Sequence, residues 1–189
     1  MKGPIPVHED TDYAAPGHRR IGGQLLIRND AGHVLLVRPS YKPGWIMPGG
    51  DALPDEGAAA AACREARQDT SLTIKVQRLL LVDRIPANPE GAVEGYNFVF
   101  DGGVLAADAI SEITLPTARP ERQPELLDFK FVHPDDLVGH CKPYHGRRVT
   151  AALAVLTNAL APQYLEFGRP VSDLEEEHGK RATTELQKP

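Results

Sequence analysis

The sequence predicts a mixed α+β domain. Apolar runs and turn residues follow the order strands, helix, strands, helix, without the strict alternation that a doubly wound parallel sheet requires. The chain has 189 residues, of which 41% are hydrophobic and 25% are charged. This length and composition are typical of one globular domain with extensions, and they exclude a wholly disordered or fibrous protein.

The first predicted element is a β-hairpin. Two apolar runs, 25–27 and 34–37, flank turn-forming residues at 29–32, which is the pattern of two strands joined by a tight turn. A short apolar segment, 45–47, then stops at two glycines, Gly49 and Gly50. We expect these glycines to form a tight loop that approaches a ligand closely, because glycine adopts backbone conformations closed to other residues.

Two helices are expected in the remainder of the chain. Residues 56–70 contain five consecutive alanines, the residue with the highest helix propensity, and Asp55 is the expected N-cap. Residues 147–161 carry apolar side chains at helical spacing, namely Val149, Ala152, Leu153, Leu156 and Leu160. Further strands are expected at 72–82, 96–100 and 129–132, a loop over 102–124, and a short helix near 133–137.

The domain itself is expected to cover residues 21–162. Residues 1–20, rich in proline and charge, are expected to form an N-terminal extension, and residues 163–189 a polar C-terminal tail. The two cysteines, Cys63 and Cys141, are too few for a disulfide framework or a zinc site. No signal-peptide core precedes the domain, so a cytoplasmic location is expected.

Charge and hydropathy exclude two classes of partner. The formal net charge is −5 and there is no basic run, so a non-specific nucleic-acid binder is not expected. No apolar stretch approaches the roughly 18 residues that span a bilayer. Neither a nucleic acid nor a membrane is therefore expected as a partner.

One face of the first helix carries a cluster of oxygen-bearing side chains. Glu65, Gln68 and Asp69 lie at i, i+3 and i+4, so they share that face. Two like charges one turn apart destabilise a helix by about 0.2–0.5 kcal/mol unless something offsets them. A divalent cation would do so, and oxygen ligands suit Mg²⁺ or Mn²⁺. The alternative is an ordinary solvated helix face.

This region resembles the signature of the Nudix hydrolases. Gly50, Glu56, Arg64, Glu65, Ala66 and Leu72 fall in register with its long, spacing-sensitive pattern. The resemblance covers roughly residues 20–160, and it implies the Nudix fold, a mixed β-sheet sandwiched between α-helices. It also implies an enzyme in which water attacks phosphorus in a nucleoside diphosphate linked to another moiety X, or in a related organic diphosphate.

The resemblance also implies roles for individual residues. The metal, Mg²⁺ or Mn²⁺, would be held by Glu65, Asp69 and the carbonyl of Gly49, with Gln68 as a weaker ligand. Glu56 and Arg64 would be structural, Arg64 orienting a neighbouring carboxylate. The catalytic base would be Glu65 or an acid in the loop before the closing strand, either Glu125 or Asp128.

Substrate contacts are expected near the glycine pair. Gly50, Arg38 and Lys42 are the candidates to contact the substrate phosphates. Arg147 and Arg148 could also meet a phosphate, although their place in the sequence favours a solvated helix end. A homodimer is compatible with the resemblance, since dimers are common among Nudix proteins.

The sequence departs from the signature at three positions. Gln68 and Asp69 stand where the pattern has two glutamates, and Ser71 stands where it has glycine. These departures leave two alternatives to an ordinary hydrolase. One is a protein that binds a nucleotide or diphosphate with little or no turnover, and the other is an enzyme specialised for a biosynthetic diphosphate.

Overall fold

A mixed β-sheet forms the centre of the fold. The computed structural model describes residues 18–88, 93–117 and 124–172. Its strands are β1 (Arg20–Asn29), β2 (Val34–Pro39), β3 (Gly49–Asp51), β4 (Leu79–Ile85), β5 (Gly95–Leu105), β6 (Leu126–Val132), β7 (Gln163–Glu166) and β8 (Arg169–Pro170). Its helices are α1 (Ala58–Thr70), α2 (Ala107–Ser111), α3 (Leu137–His140) and α4 (Pro143–Thr157), with a 3-10 turn at Pro134–Asp136 before α3.

The sheet combines parallel and antiparallel pairs. Its order is β6-β2-β1-β5-β4-β7-β8, and β3 pairs with β1 outside this path. β1 pairs antiparallel with β2 and parallel with β5, so the predicted hairpin is confirmed. The predicted α+β class with a mixed sheet is confirmed as well.

Alternate residues of the central strands pack on opposite faces of the sheet. Leu25 and Ile27 of β1 pack with the alanines of α1, whereas Leu26 between them packs with α4. This follows from the two-residue period of a strand, whose successive side chains point to opposite faces. The sheet therefore lies between α1 and α4, the sandwich that was expected.

Both main helices begin at residues other than those predicted. The N-cap of α1 is Gly57, because Asp55 has a φ of 62°, outside the extended conformation of a usual N-cap. α4 begins at Pro143, four residues before the predicted start, since proline is well suited to the first turn of a helix. Of its predicted buried stripe, Val149 and Ala152 are buried, whereas Leu160 is 41% exposed.

The middle of the chain differs from the prediction in its element bounds. Regular strand structure in the segment predicted at 72–82 begins only at Leu79. β5 runs through two glycines into the predicted loop, and α2 lies within that loop. Gly102 lacks the Cβ that would otherwise lie 2.7 Å from Ile27, so here glycine allows two neighbouring strands to pack closely rather than marking a turn.

The C-terminal boundary predicted after residue 162 requires correction. β7 pairs with β4 and β8 pairs with β7, and Leu165 is fully buried. The sheet thus continues through residues 163–170. The rest of the predicted tail, 173–189, and residues 1–17 of the predicted extension lie outside the described residues.

Within the described ranges, no helix is both long enough and apolar enough to cross a membrane.

Candidate active site

A cavity of about 710 Å³ opens beside the glycine pair of β3. α1 contributes carboxylates to it and the first turns of α4 contribute basic and aromatic side chains. Four acids line it, Asp51, Glu65, Asp69 and Glu125, together with four basic residues, Arg20, Lys42, Lys142 and Arg148. Three of the carboxylates predicted from the sequence, Glu65, Asp69 and Glu125, therefore share one cavity with a basic wall.

Asp69 is a buried carboxyl on the acidic wall. It is 8% exposed, and its Oδ2 accepts the backbone N–H of Gly49 at 3.1 Å. Burial is the main cause that raises the pKa of Asp69 to about 7. The negative charges of Glu65 and Glu125 contribute to this rise, whereas the hydrogen bond from Gly49 opposes it. A cation at this wall would stabilise the charged carboxylate.

Arg64 holds Glu65 in position. Its Nη1 lies 2.5 Å from the Oε1 of Glu65, and its Nε and Nη2 contact both oxygens of Glu56 at 2.9 and 2.8 Å. Hydrogen bonds from Arg64, and from the backbone of Leu53, lower the pKa of Glu56 to about 2. Neither Arg64 nor Glu56 lines the cavity, so their contacts orient Glu65 from outside it.

The two glycines form strand β3 rather than the expected loop. A Cβ at Gly49 would lie 2.2 Å from the carbonyl oxygen of Gly23, and its φ is 136°. A Cβ at Gly50 would lie 2.6 Å from the Cδ of Glu65. Both are nearer than real Cβ atoms approach, so glycine is required here to let β3 contact β1 and Glu65.

Five of the predicted site residues lie outside the cavity: Glu56 and Arg64, described above, and Gln68, Arg38 and Asp128. Gln68 is exposed and its Oε1 accepts from Nη1 of Arg64 at 3.2 Å. Arg38 is exposed, with its guanidinium 5.7 Å from the ring centre of Trp45. Asp128 is also exposed. The predicted site residues that do line the cavity are Gly49, Gly50, Lys42, Glu65, Asp69 and Glu125.

The acidic wall fits a magnesium-type ion only in company with a substrate. In the part of the chain that the structure describes, no three His, Cys, Asp or Glu side chains are placed to hold a metal by themselves. Mg²⁺ usually binds one or two carboxylates together with water and substrate phosphates. Two carboxylates, Glu65 and the buried Asp69, are a donor set of this kind.

Of the basic wall, only Lys42 was among the site residues predicted from the sequence. Arg148, expected at a solvated helix end, is 1% exposed. Its Nε donates to the Oδ2 of Asp83 at 2.7 Å and its Nη1 to Gln24 at 2.9 Å. Because α4 starts at Pro143, Arg148 lies in the second turn and faces the sheet. The sequence feature that could have indicated a buried cation is Asp83, an acid at the end of the apolar run that forms β4.

A stacked aromatic pair forms part of the cavity lining. The rings of Tyr144 and Phe167 stack with centroids 4.4 Å apart and planes at 15°, and both residues line the cavity. They provide an apolar surface near the basic wall.

Comparison with known proteins identifies the family. The NUDIX domain model matches residues 18–153. The chain belongs to the Nudix family. A Nudix relative from Bacillus subtilis (strain 168), provisionally named an 8-oxo-dGTP diphosphatase, is 28% identical over 117 residues, which cover 58% of this chain and 78% of the relative.

Solved Nudix structures share the fold. The MutT protein from Methanosarcina mazei Go1 has a TM-score of 0.57 at 22% identity, covering 75% of this chain and 95% of its own. The NUDIX domain of Shewanella oneidensis NrtR, solved with ADP ribose, has a TM-score of 0.59 at 16% identity, covering 78% and 95%. These matches confirm the predicted family and Nudix fold, and with them the enzyme class, a Nudix-type diphosphate hydrolase.

Proposed function

We propose that this Nudix protein is a Mg²⁺- or Mn²⁺-dependent hydrolase of a nucleoside diphosphate linked to another moiety. The observation that carries the proposal is the pairing of Glu65 with the buried Asp69 on one wall of a cavity whose other wall is basic. A metal-bound diphosphate suits the acidic wall, and the stacked Tyr144 and Phe167 offer a face to a nucleobase. The name of the Bacillus subtilis relative makes 8-oxo-dGTP a first substrate to test.

Glu65 and Asp69 are the side chains that would hold the metal, with the carbonyl of Gly49 beside them. When bound, the metal would neutralise charge on the phosphate oxygens and make water a better nucleophile. Arg64 keeps the Glu65 carboxylate at the cavity wall. Gln68 is at most an indirect contributor, because its oxygen is bonded to Arg64 outside the cavity.

Glu125 is the base that the placement of the acids favours. Glu65 already accepts from Arg64, and Asp128 does not line the cavity, whereas Glu125 lines it. Glu125 is the one of these three acids that lines the cavity without an ion pair in the described part of the chain. Its role would be to take the proton from the attacking water as phosphorus is attacked.

The proposal is tested by hydrolysis of a panel that contains 8-oxo-dGTP, ADP-ribose and a nucleoside diphosphate sugar, with Mg²⁺ or Mn²⁺. Wild-type protein should release phosphate or a nucleotide from at least one of them. Glu65→Gln should lower kcat by about 100-fold or more, while Glu112→Gln, an exposed acid outside the cavity, should leave it unchanged. A folded wild type inactive on the whole panel contradicts the proposal.

Binding without turnover is the second candidate, and Gln68 is the observation that favours it. This position lacks the carboxylate of the signature, so this face of α1 has one negative charge fewer. Gln68→Glu separates the two candidates: a large gain from near-zero activity indicates a binding protein with a lost catalytic site. If the wild type is active and Gln68→Glu changes kcat by less than about threefold, the result supports a functional hydrolase. A small effect is expected there because residue 68 contacts Arg64.

We also propose a cytoplasmic location and a homodimer. The two cysteines are free, Cys63 half-buried and Cys141 buried, which suits a reducing compartment. Sedimentation of the full chain tests the dimer, and fractionation of cells that produce it tests the location.

A further inference from the structure

Arg148 is a buried cation with one donor group left over. Its Nε and Nη1 are bonded to Asp83 and Gln24, but its Nη2 has no hydrogen-bond partner within 18–88, 93–117 and 124–172. A buried donor without a partner costs roughly 1–3 kcal/mol, more when it is charged. Arg148 is 1% exposed and lines the cavity, so its positive charge acts on any ligand that binds there.

Positive charge is concentrated around Arg148. Lys42 and Lys142 line the same cavity, and neither forms a salt bridge with an acid in the described segments. Burial lowers the pKa of Lys42, and the charges of Arg20 and Arg148 lower it further. These cations repel one another across the cavity, so an anion between them would relieve the repulsion.

The first turn of α4 adds to this field. α4 has 15 residues, its N-cap is Lys142, and no side chain caps its free N–H groups. A helix N-terminus carries a partial positive charge that favours anions. Arg148, with its unpartnered nitrogen, lies one turn further along the same helix and adds a full positive charge to this field.

We propose that Arg148, Lys42 and Lys142 bind an oxyanion group of the substrate other than the diphosphate at the acidic wall. This inference rests on the proposed function, because it places the second group of the same substrate. It narrows the substrate class to molecules whose moiety X carries a further phosphate or a carboxylate. A substrate with a neutral X would leave Lys42 and Lys142 without an anion.

Metal-free protein in EDTA tests this site separately from catalysis. Without a divalent ion the acidic wall repels phosphate, so bound phosphate reports on the basic wall. Isothermal titration with inorganic phosphate, and with acetate in a parallel arm, is compared with sodium chloride at equal ionic strength. Wild-type protein should bind phosphate or acetate, and the stronger of the two identifies the group as a phosphate or a carboxylate.

Three variants assign the binding to these residues. Arg148→Lys keeps the charge but removes the forked guanidinium donor. It should raise the dissociation constant for the bound anion at least about fivefold. Lys142→Gln, which does not disturb the core, should do the same if Arg148→Lys fails to fold. Lys130→Gln is the control, because Lys130 lies over the Trp45 ring, 4.4 Å from its centre, and does not line the cavity.

The outcomes separate this inference from the proposed function. The inference is supported if wild type and Lys130→Gln bind the anion and Lys142→Gln binds it more weakly. This holds whether or not any diphosphate is hydrolysed. Hydrolysis with no anion binding in EDTA, or with binding that Lys142→Gln leaves unchanged, overturns the inference and leaves the proposed function standing.

Discussion

The absent side chain of Gly50 determines how close Glu65 comes to β3. A Cβ there would lie 2.6 Å from Cδ and 2.7 Å from Oε2 of Glu65, so Gly50→Ala must displace the carboxylate. A misplacement of about 1 Å can cost roughly 100-fold in rate. We therefore expect Gly50→Ala to lower kcat by about 10- to 100-fold in a hydrolysis assay with saturating Mg²⁺.

Gly57→Ala is the matched control for Gly50→Ala. A Cβ at Gly57 would meet nothing within 4 Å, and its φ of −73° suits any residue. Its kcat should equal that of the wild type. Equal activity of the Gly50→Ala protein would show that Glu65 tolerates displacement and is not needed at this position.

Arg147 and Arg148 show where reasoning from single residues fails. They are adjacent in sequence, yet Arg147 donates to the carbonyl of Phe167 from a half-buried position, whereas Arg148 is buried against Asp83. Neighbouring helix positions differ by about 100° in direction, so one arginine can face the sheet while the next faces solvent. The predicted helix start was four residues too late, which placed Arg148 at a helix end instead of in the second turn.

At the scale of elements, α1 ends at a residue in a left-handed conformation. Ser71 has φ 64° and its N–H bonds the carbonyl of Arg67, while its Oγ donates to the carbonyl of Thr114. Ser71→Ala and Ser71→Gly both lose the hydroxyl bond, but only alanine keeps the Cβ that disfavours this conformation. In urea denaturation, the glycine variant should be more stable than the alanine variant by about 1 kcal/mol; equal stabilities would contradict this account.

The elements that the sequence predicted are those defined by local pattern. The hairpin of β1 and β2 and the alanine-rich α1 follow from neighbouring residues, and the signature spacing placed Glu65 and Asp69 on one helix face. β7 and β8 are short and mostly polar, and they exist because β4 offers a free edge about 80 residues earlier. No local pattern contains that information, and the same holds for the basic wall, whose Arg148 and Gln24 are 124 positions apart.

At the scale of the whole molecule, Asp83 connects three distant segments. One of its oxygens accepts from Arg148 of α4 and the other from the N–H of Gly168, between β7 and β8, and Asp83 is fully buried in β4. Asp83→Asn would leave Arg148 as an uncompensated buried charge. Breaking a buried pair in this way costs about 3–5 kcal/mol, which we expect in the free energy of unfolding measured by denaturant.

Two further variants control the Asp83→Asn measurement. Asp128→Asn, at an exposed position, should change stability by less than about 0.5 kcal/mol. Adding Arg148→Met to Asp83→Asn should recover part of the loss, because the unpaired charge is then absent. A loss below about 1 kcal/mol in Asp83→Asn would mean that the pair does not hold these segments together.

Because His145 is buried in the basic wall, the stability of the whole molecule should depend on pH. Burial, together with the positive charges of Arg148, Lys42, Lys142 and Arg20, lowers the pKa of His145 to about 2. In the unfolded chain its pKa is near 6.5, so below pH 6.5 the unfolded state takes up a proton that the folded state does not. His145 should therefore reduce stability as the pH falls from 6.5 towards 2, by up to about 1.4 kcal/mol per pH unit. The free energy of unfolding of wild type and of His145→Gln, measured by denaturant from pH 7.5 to 5, should fall more steeply with decreasing pH in the wild type. Equal slopes in the two proteins would show that His145 is protonated in the folded state and that the basic wall tolerates a further cation.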